Sequence, residues 1–181
     1  MPEVSGPGEL RIRDAVSADT DGLLAIYRPF VLQTPVSFEL QPPSAAEFEQ
    51  RIAAAQSKWA WIVAERAGDL LGYAYGSSFR SRAAYQWSVE TSAYVGGAHA
   101  GQGVGKALYA RLLPILAEKG YCTAYAGITL PNEASVRLHK SAGFGEVGVF
   151  RRAGWKFGSW HDVSWWQREL RERPPATFHM G

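Results

Sequence analysis

The chain has 181 residues, 46% of them hydrophobic, which is enough to bury one core without covalent staples. Its 19 basic and 17 acidic side chains leave a formal charge of +2 and form no like-charged run able to track a phosphate backbone, which argues against nucleic acid as a partner. A lone Cys122 excludes an internal disulfide framework, and His99, His139, His161 and His179 lack the short paired spacing of a zinc site, so no metal is expected.

In chain order, Leu10, Ile12 and Ala15 beside Arg11, Arg13 and Asp14 predict a short strand. Ser17 offers an N-cap to a helix carrying Leu23, Leu24, Ile26 and Tyr27, which Pro29 is expected to end or bend. Residues 33–41 read as a loop. Ser44 and Glu47 form a capping-box pattern ahead of Phe48, Ile52 and Ala55, so a second helix begins after Pro43. Residues 59–65 and 70–75, split by Ala67-Gly68-Asp69, predict a hairpin, and residues 85–95 a third strand. Leu108, Leu112, Ile115 and Leu116 recur at helical spacing over 103–119, with Gly120 where a C-cap belongs. A strand over 122–129, a helix over 132–142 closed by Gly143, and strands over 145–152 and 163–170 complete an α/β (α+β) pattern. One domain over 1–170 is expected, with 171–181 as a loose tail marked by Pro174 and Pro175. No segment approaches the ~20 apolar residues of a membrane span, and residues 1–10 lack a basic stretch followed by an apolar one. A cytoplasmic location without membrane association is therefore expected.

The segment Ala100-Gly101-Gln102-Gly103-Val104-Gly105-Lys106 lies between a strand and a helix, where bare amides and the helix dipole can hold a phosphate. A dinucleotide fingerprint fails because Lys106 takes the last glycine position and no acidic residue follows at the right distance. A Walker A loop fails at Ala100 and Ala107. The turn alone is also compatible with a glycine-rich connection that binds nothing.

The preceding strand ends Ser92-Ala93-Tyr94-Val95, and a later helix opens Pro131-Asn132-Glu133-Ala134-Ser135 and closes Ala142-Gly143-Phe144. Together with the turn, this resembles the acetyl-CoA core of the GCN5-related N-acetyltransferases (GNAT). The resemblance implies a central twisted sheet, mixed but mostly antiparallel, of about six to seven strands flanked by helices. It implies acetyl-CoA as cosubstrate, held by Val95, by the turn Gly101, Gln102, Gly103, Val104, Gly105 and Lys106, and by Asn132 and Ser135. The family usually has Arg or Gln where this chain has Ala100, although such a loop donates mainly through its amides. Trp87-Ser88-Val89-Glu90, Leu130-Pro131-Asn132, Arg152-Ala153-Gly154-Trp155-Lys156 and Trp160-His161-Asp162-Val163 narrow the likeness to the phosphinothricin N-acetyltransferases, over roughly residues 59–170.

An amine attacks a thioester only when neutral, so the site needs a proton acceptor. The resemblance points to Glu90, acting through a water; a strand glutamate that merely faces solvent is the plainer reading. His139 stands where many members place a tyrosine thought to protonate the departing thiolate; a structural histidine at a helix end is the alternative. Arg80 and Arg82 are candidates to pair with the acidic group of an amino-acid-like substrate, Arg82 the better placed, unless both belong to a basic surface turn. Phe38 and Tyr85 are apolar walls of the same pocket or core residues. Tyr109 reads equally as a donor or as packing, and Cys122 reads as a small buried hydrophobe rather than a nucleophile.

The expected activity is acetyl transfer to the α-amino group of a small substrate such as phosphinothricin, by direct attack with Glu90 as base. Methionine sulfoximine or methionine sulfone is the close alternative. A peptide N-terminal acetyltransferase or a non-catalytic CoA-binding module are the others. A homodimer is expected from the resemblance and from the four tryptophans between Trp155 and Trp166.

Overall fold

The computed structural model describes residues 8–176. Its regular elements are β1 (Arg11–Asp14), α1 (Thr20–Gln33), α2 (Ala45–Lys58), β2 (Trp61–Arg66), β3 (Asp69–Ser78), β4 (Ser88–Val95), α3 (Val104–Glu118), β5 (Thr123–Thr129), α4 (Glu133–Ser141), β6 (Gly145–Lys156) and β7 (Ser159–Glu169). The strands form one seven-stranded sheet in the order β1-β2-β3-β4-β5-β7-β6. Every neighbouring pair is antiparallel except β4 and β5.

Because strand side chains alternate between faces, β2 divides its residues between two cores. Ile62 and Ala64, with Ala60 just before the strand, join the layer that packs α3 through Leu108, Leu112 and Leu116. Trp61 and Val63 join the layer that packs α1 and α2 through Leu23, Leu24, Phe48 and Ile52. A strand covered on both faces reads as a continuous apolar run, which is how Trp61-Ile62-Val63-Ala64 appears in the sequence. Each fully buried leucine of α3 contributes roughly 1.5–3 kcal/mol, so α3 is firmly seated and fixes the turn at its N-terminus.

The capping box before α2 forms as expected, with the Glu47 amide donating to Ser44 Oγ and the Ser44 amide to Glu47 Oε2. Pro29 does not end α1 but lies inside it. A proline there costs roughly 3 kcal/mol, and the helix tolerates it because Leu23, Leu24, Tyr27 and Val31 are buried on both sides of it. The strand expected from residue 85 starts at Ser88, after a short 3₁₀ turn over Ala83–Tyr85. The final hairpin is longer than expected: β6 and β7 pair as far as Lys156↔Ser159. They are joined by Phe157-Gly158, both at positive φ as a tight two-residue turn requires. The early boundary at 152 has a cause in the register shift between Phe150 and Gly154, where Arg152 sits at φ 52°.

Candidate active site

The site begins where the sheet opens. β4 and β5 pair over three rungs only, Ser88↔Thr123, Val89↔Ala124 and Glu90↔Tyr125. Beyond them β4 runs on through Thr91–Val95 and β5 through Ala126–Thr129 as separate edges, leaving backbone donors and acceptors free to pair with an extended ligand. A cavity of about 60 Å³ fills the fork, lined by Thr91, Ala93, Tyr109, Ile128, Asn132 and His139 among others.

β4 leads to the glycine turn. Gly101 and Gly103 have φ of 77° and 80°, in the left-handed region that favours glycine. This geometry turns successive amides outward ahead of α3. Among the described residues, the amides of Gly101, Gly103, Val104, Gly105 and Lys106 meet no hydrogen-bond acceptor. An anion such as a pyrophosphate supplies what they lack. Gly105 has a second reason to be glycine, since a Cβ there would stand 2.9 Å from Leu138 Cδ2 on α4. Val104 points its side chain into the core, so only its amide serves the turn. Gln102 is held by Arg66 Nη1 at 3.3 Å, and the Ala100 position is exposed. Val95 closes the sheet edge opposite Gly72, while Lys106 is exposed beside the turn.

At the fork α4 contributes three predicted residues. Asn132 Oδ1 accepts from the Ser135 amide and caps the helix. His139, 5% exposed, donates from Nδ1 to the Ser135 carbonyl at 2.7 Å. Because a carbonyl only accepts, the proton of the neutral ring sits on Nδ1 and Nε2 offers a lone pair. Nε2 therefore accepts from the Tyr109 hydroxyl, 2.9 Å away. That hydroxyl lies 3.3 Å from Thr91 Oγ1. Burial pushes the His139 pKa down, against a smaller lift from the Ser135 carbonyl, and so favours the neutral ring. Burial likewise raises the Tyr109 pKa and keeps its proton in place. Of the pair, Tyr109 carries the proton of this hydrogen bond and His139 accepts it, an arrangement invisible in the sequence.

A second cavity, of about 500 Å³, adjoins the fork and shares Val36, Ser92, Tyr94, Gly127 and Thr129 with it. Glu90 lines it, as do Phe38, Phe150 and Trp165. Glu90 is half-buried, and burial pushes its carboxyl up from the ordinary value against a smaller downward pull from the Arg80 guanidinium. It stands on the last paired rung, at the mouth of the fork.

The other predicted residues separate here. Phe38 lies in the cavity wall, its ring against the bare backbone of Gly154, where a Cβ would approach to 2.5 Å. Arg80 and Tyr85 both pack on Phe79, at 5.0 and 5.8 Å, and Phe79 stacks on Tyr125 at 4.0 Å and meets the edge of Trp165. Arg80, Arg82 and Tyr85 are all exposed and line neither cavity, and Arg82 is the N-cap of the 3₁₀ turn. Cys122 is only half-buried, with its thiol 3.6 Å from the Gly120 carbonyl. Of the four late tryptophans, Trp166 is core and Trp165 belongs to the cavity wall; Trp155 and Trp160 remain at the surface, 57% and 48% exposed. The wall residues Thr129, Phe150 and Trp165 carry no local motif, and their alternation along strands is the one signal that could place them. Among the described residues, no group of three or more His, Cys, Asp or Glu side chains stands ready to hold a metal.

A family profile described as an acetyltransferase (GNAT) domain matches residues 12–165. The chain is 36% identical over 166 residues to a phosphinothricin N-acetyltransferase of Streptomyces viridochromogenes, covering 92% of this chain and 91% of that one. It is 33% identical over 174 residues to an L-methionine sulfoximine/L-methionine sulfone acetyltransferase of Salmonella typhimurium, covering 90% and 96% of the two. A phosphinothricin acetyltransferase from Sinorhizobium meliloti, solved in complex with acetyl-CoA, superposes with a TM-score of 0.88 at 34% identity, over 93% of this chain and 94% of that chain. The forked strands, the bare amides of the turn and these likenesses agree: the chain belongs to the GNAT family and is an acetyl-CoA-dependent N-acetyltransferase.

Proposed function

We propose that the enzyme acetylates the α-amino group of a small amino-acid-like substrate such as phosphinothricin, with Glu90 as general base. The observation that carries this reading is the half-buried Glu90 carboxylate in the wall of the larger cavity, two residues along β4 from Ser92, which lines both cavities. Burial pushes the Glu90 carboxyl up and so makes its carboxylate a better acceptor for a proton taken from an ammonium through a water. When bound, acetyl-CoA supplies the acyl group and the leaving thiolate. The chain's own part is to hold its pyrophosphate on the amides of 101–106, line its extended arm along β4, and offer the Tyr109 proton, with His139 orienting that hydroxyl. Asn132 and Ser135 frame the same fork. The acceptor cavity, walled by Phe38 and Trp165, suits a small molecule, and Arg80 is the cation closest in effect to Glu90. Methionine sulfoximine and methionine sulfone share the carboxylate and tetrahedral polar centre and remain the alternative acceptors.

In this reading the protein is one domain over 1–170, works in the cytoplasm and forms a two-fold dimer. The dimer is supported by Trp155, Phe157 and Trp160, which cluster exposed on the β6–β7 hairpin. The deciding measurement is thiol release from acetyl-CoA with a panel of amines. Turnover should be fastest with phosphinothricin or methionine sulfoximine, and a preference for cationic amines would refute the anionic-substrate assignment.

A further inference from the structure

The motif Gly154-Trp155-Lys156 has no part in the chemistry described so far, yet Lys156 is placed unusually. It ends β6 and is 4% exposed. Among the described residues its ammonium has no carboxylate partner within ion-pair distance. Instead Nζ donates to two carbonyls far away in sequence, those of Val31 and Ser37, each at 2.6 Å. A buried cation survives only where its donors are met, and burial pushes the Lys156 pKa down despite the nearby Glu39 charge.

The two acceptors explain the placement. Val31 lies in the last turn of α1, whose carbonyls have no partner within the helix and carry the negative end of its dipole. Ser37 lies in the loop that follows, between Val36 and Phe38, and all three line the acceptor cavity. The loop is tied on its other side as well: Tyr27 Oη meets Ser37 Oγ at 2.7 Å and donates to Glu39, which Arg51 also holds. On the hairpin side, the Phe38 ring rests on Gly154, two residues before Lys156. We propose that Lys156 is a positioning residue for the acceptor amine: it clamps the 34–39 loop to the β6–β7 hairpin and so sets where Val36 and Phe38 stand over Glu90. This rests on the reading of the larger cavity as the amine site. The glycine turn and α3 take no part in the clamp, so acetyl-CoA should be bound independently of it.

The test is Lys156→Met, which keeps the length and apolar stem and removes the donors. Two buried carbonyls then lose their partner, and KM for phosphinothricin, or for whichever amine the wild type uses best, should rise about 10- to 100-fold. KM for acetyl-CoA should stay within about twofold. Amide hydrogen exchange should quicken at residues 36–39 and not along α3. Lys156→Gln, which keeps a shorter neutral donor, should fall between, and the same measurements on it decide the proposal if the Met variant does not fold. An unchanged amine KM in a folded variant, or an equal loss for both substrates, overturns the proposal. If the wild type acetylates no amine of the panel, the functional reading fails by itself. Exchange at 36–39 in Lys156→Met then still decides whether the clamp exists.

Discussion

The two sides of the fork are built by different means. The cofactor side consists of a strand end, a glycine turn and two helix starts within one stretch, from Ser88 to Ser135. Its functional atoms are backbone amides, and side chains there serve mainly to let the backbone approach, as Gly105 does against Leu138. The acceptor side is assembled from pieces distant in sequence: Val36 and Phe38, Glu90, Gly127, Phe150 and Trp165. It is held by side chains reaching across the molecule, Lys156 to Ser37 among them. A backbone site tolerates most substitutions that keep its φ values, whereas a side-chain site changes with each residue. One fold can therefore keep a single acyl donor and vary its acceptor.

The largest expected effect separates the two sides. Glu90→Gln removes the proton acceptor and nothing from the turn. Turnover should fall about 10²- to 10⁴-fold, with acetyl-CoA affinity nearly unchanged by calorimetry. The sign of the pH dependence follows from burial: the carboxylate form is the active one, and its pKa is raised. In the wild type kcat/KM should fall as pH drops through that raised value, and the Gln variant should lose this acid limb. An acid limb that survives in Glu90→Gln would transfer the base role to another group.

The opposite test acts on the cofactor side. Gly103 has φ 80° and open space around the Cβ position, so Gly103→Val strains the backbone without a steric clash. Acetyl-CoA affinity should weaken about 10- to 100-fold, from a strain of roughly 1–3 kcal/mol in the nest. Amine KM at saturating acetyl-CoA should move little. Equal weakening of both substrates would mean that the turn also shapes the acceptor cavity.

The same contrast explains which features the sequence makes legible. The order of strands and helices, the capping box at Ser44 and the glycine turn are local patterns, with periods or short spacings fixed by backbone geometry, and they can be read directly. Glu90 and His139 are found through a resemblance in local segments rather than through their surroundings. Pro29 does not end α1 because burial on both sides of it is a tertiary fact that no window around residue 29 contains. The Tyr109–His139 hydrogen bond joins α3 to α4, and Lys156 reaches across more than a hundred residues to its acceptors, so neither leaves a local trace. Of the two arginines the sequence favours Arg82, while the charge felt at Glu90 is that of Arg80, a difference set by the fold of the 79–87 turn that spacing alone does not show.

The smallest expected effect lies in that pair, and it tests how far the acceptor side extends. Arg80 sits over Phe79, whose ring packs on Tyr125 and Trp165, and its charge is felt at Glu90. Arg82 starts an exposed turn, and no effect of its charge reaches Glu90, although neither arginine lines a cavity. Both arginines are exposed and screened by water, so Arg80→Ala should raise KM for an anionic amine only about two- to fivefold, by removing the cation felt at Glu90, and Arg82→Ala should change it less than about twofold. Arg80 also opposes the rise in the Glu90 pKa, so its loss should shift the acid limb of kcat/KM to higher pH. A neutral amine serves as control: there Arg80→Ala should move the pH limb and leave KM alone. If Arg82→Ala instead gives the larger KM effect, the turn over residues 79–87 must fold inward when the amine binds. The acceptor side would then be completed by the substrate, while the cofactor side stands formed beforehand.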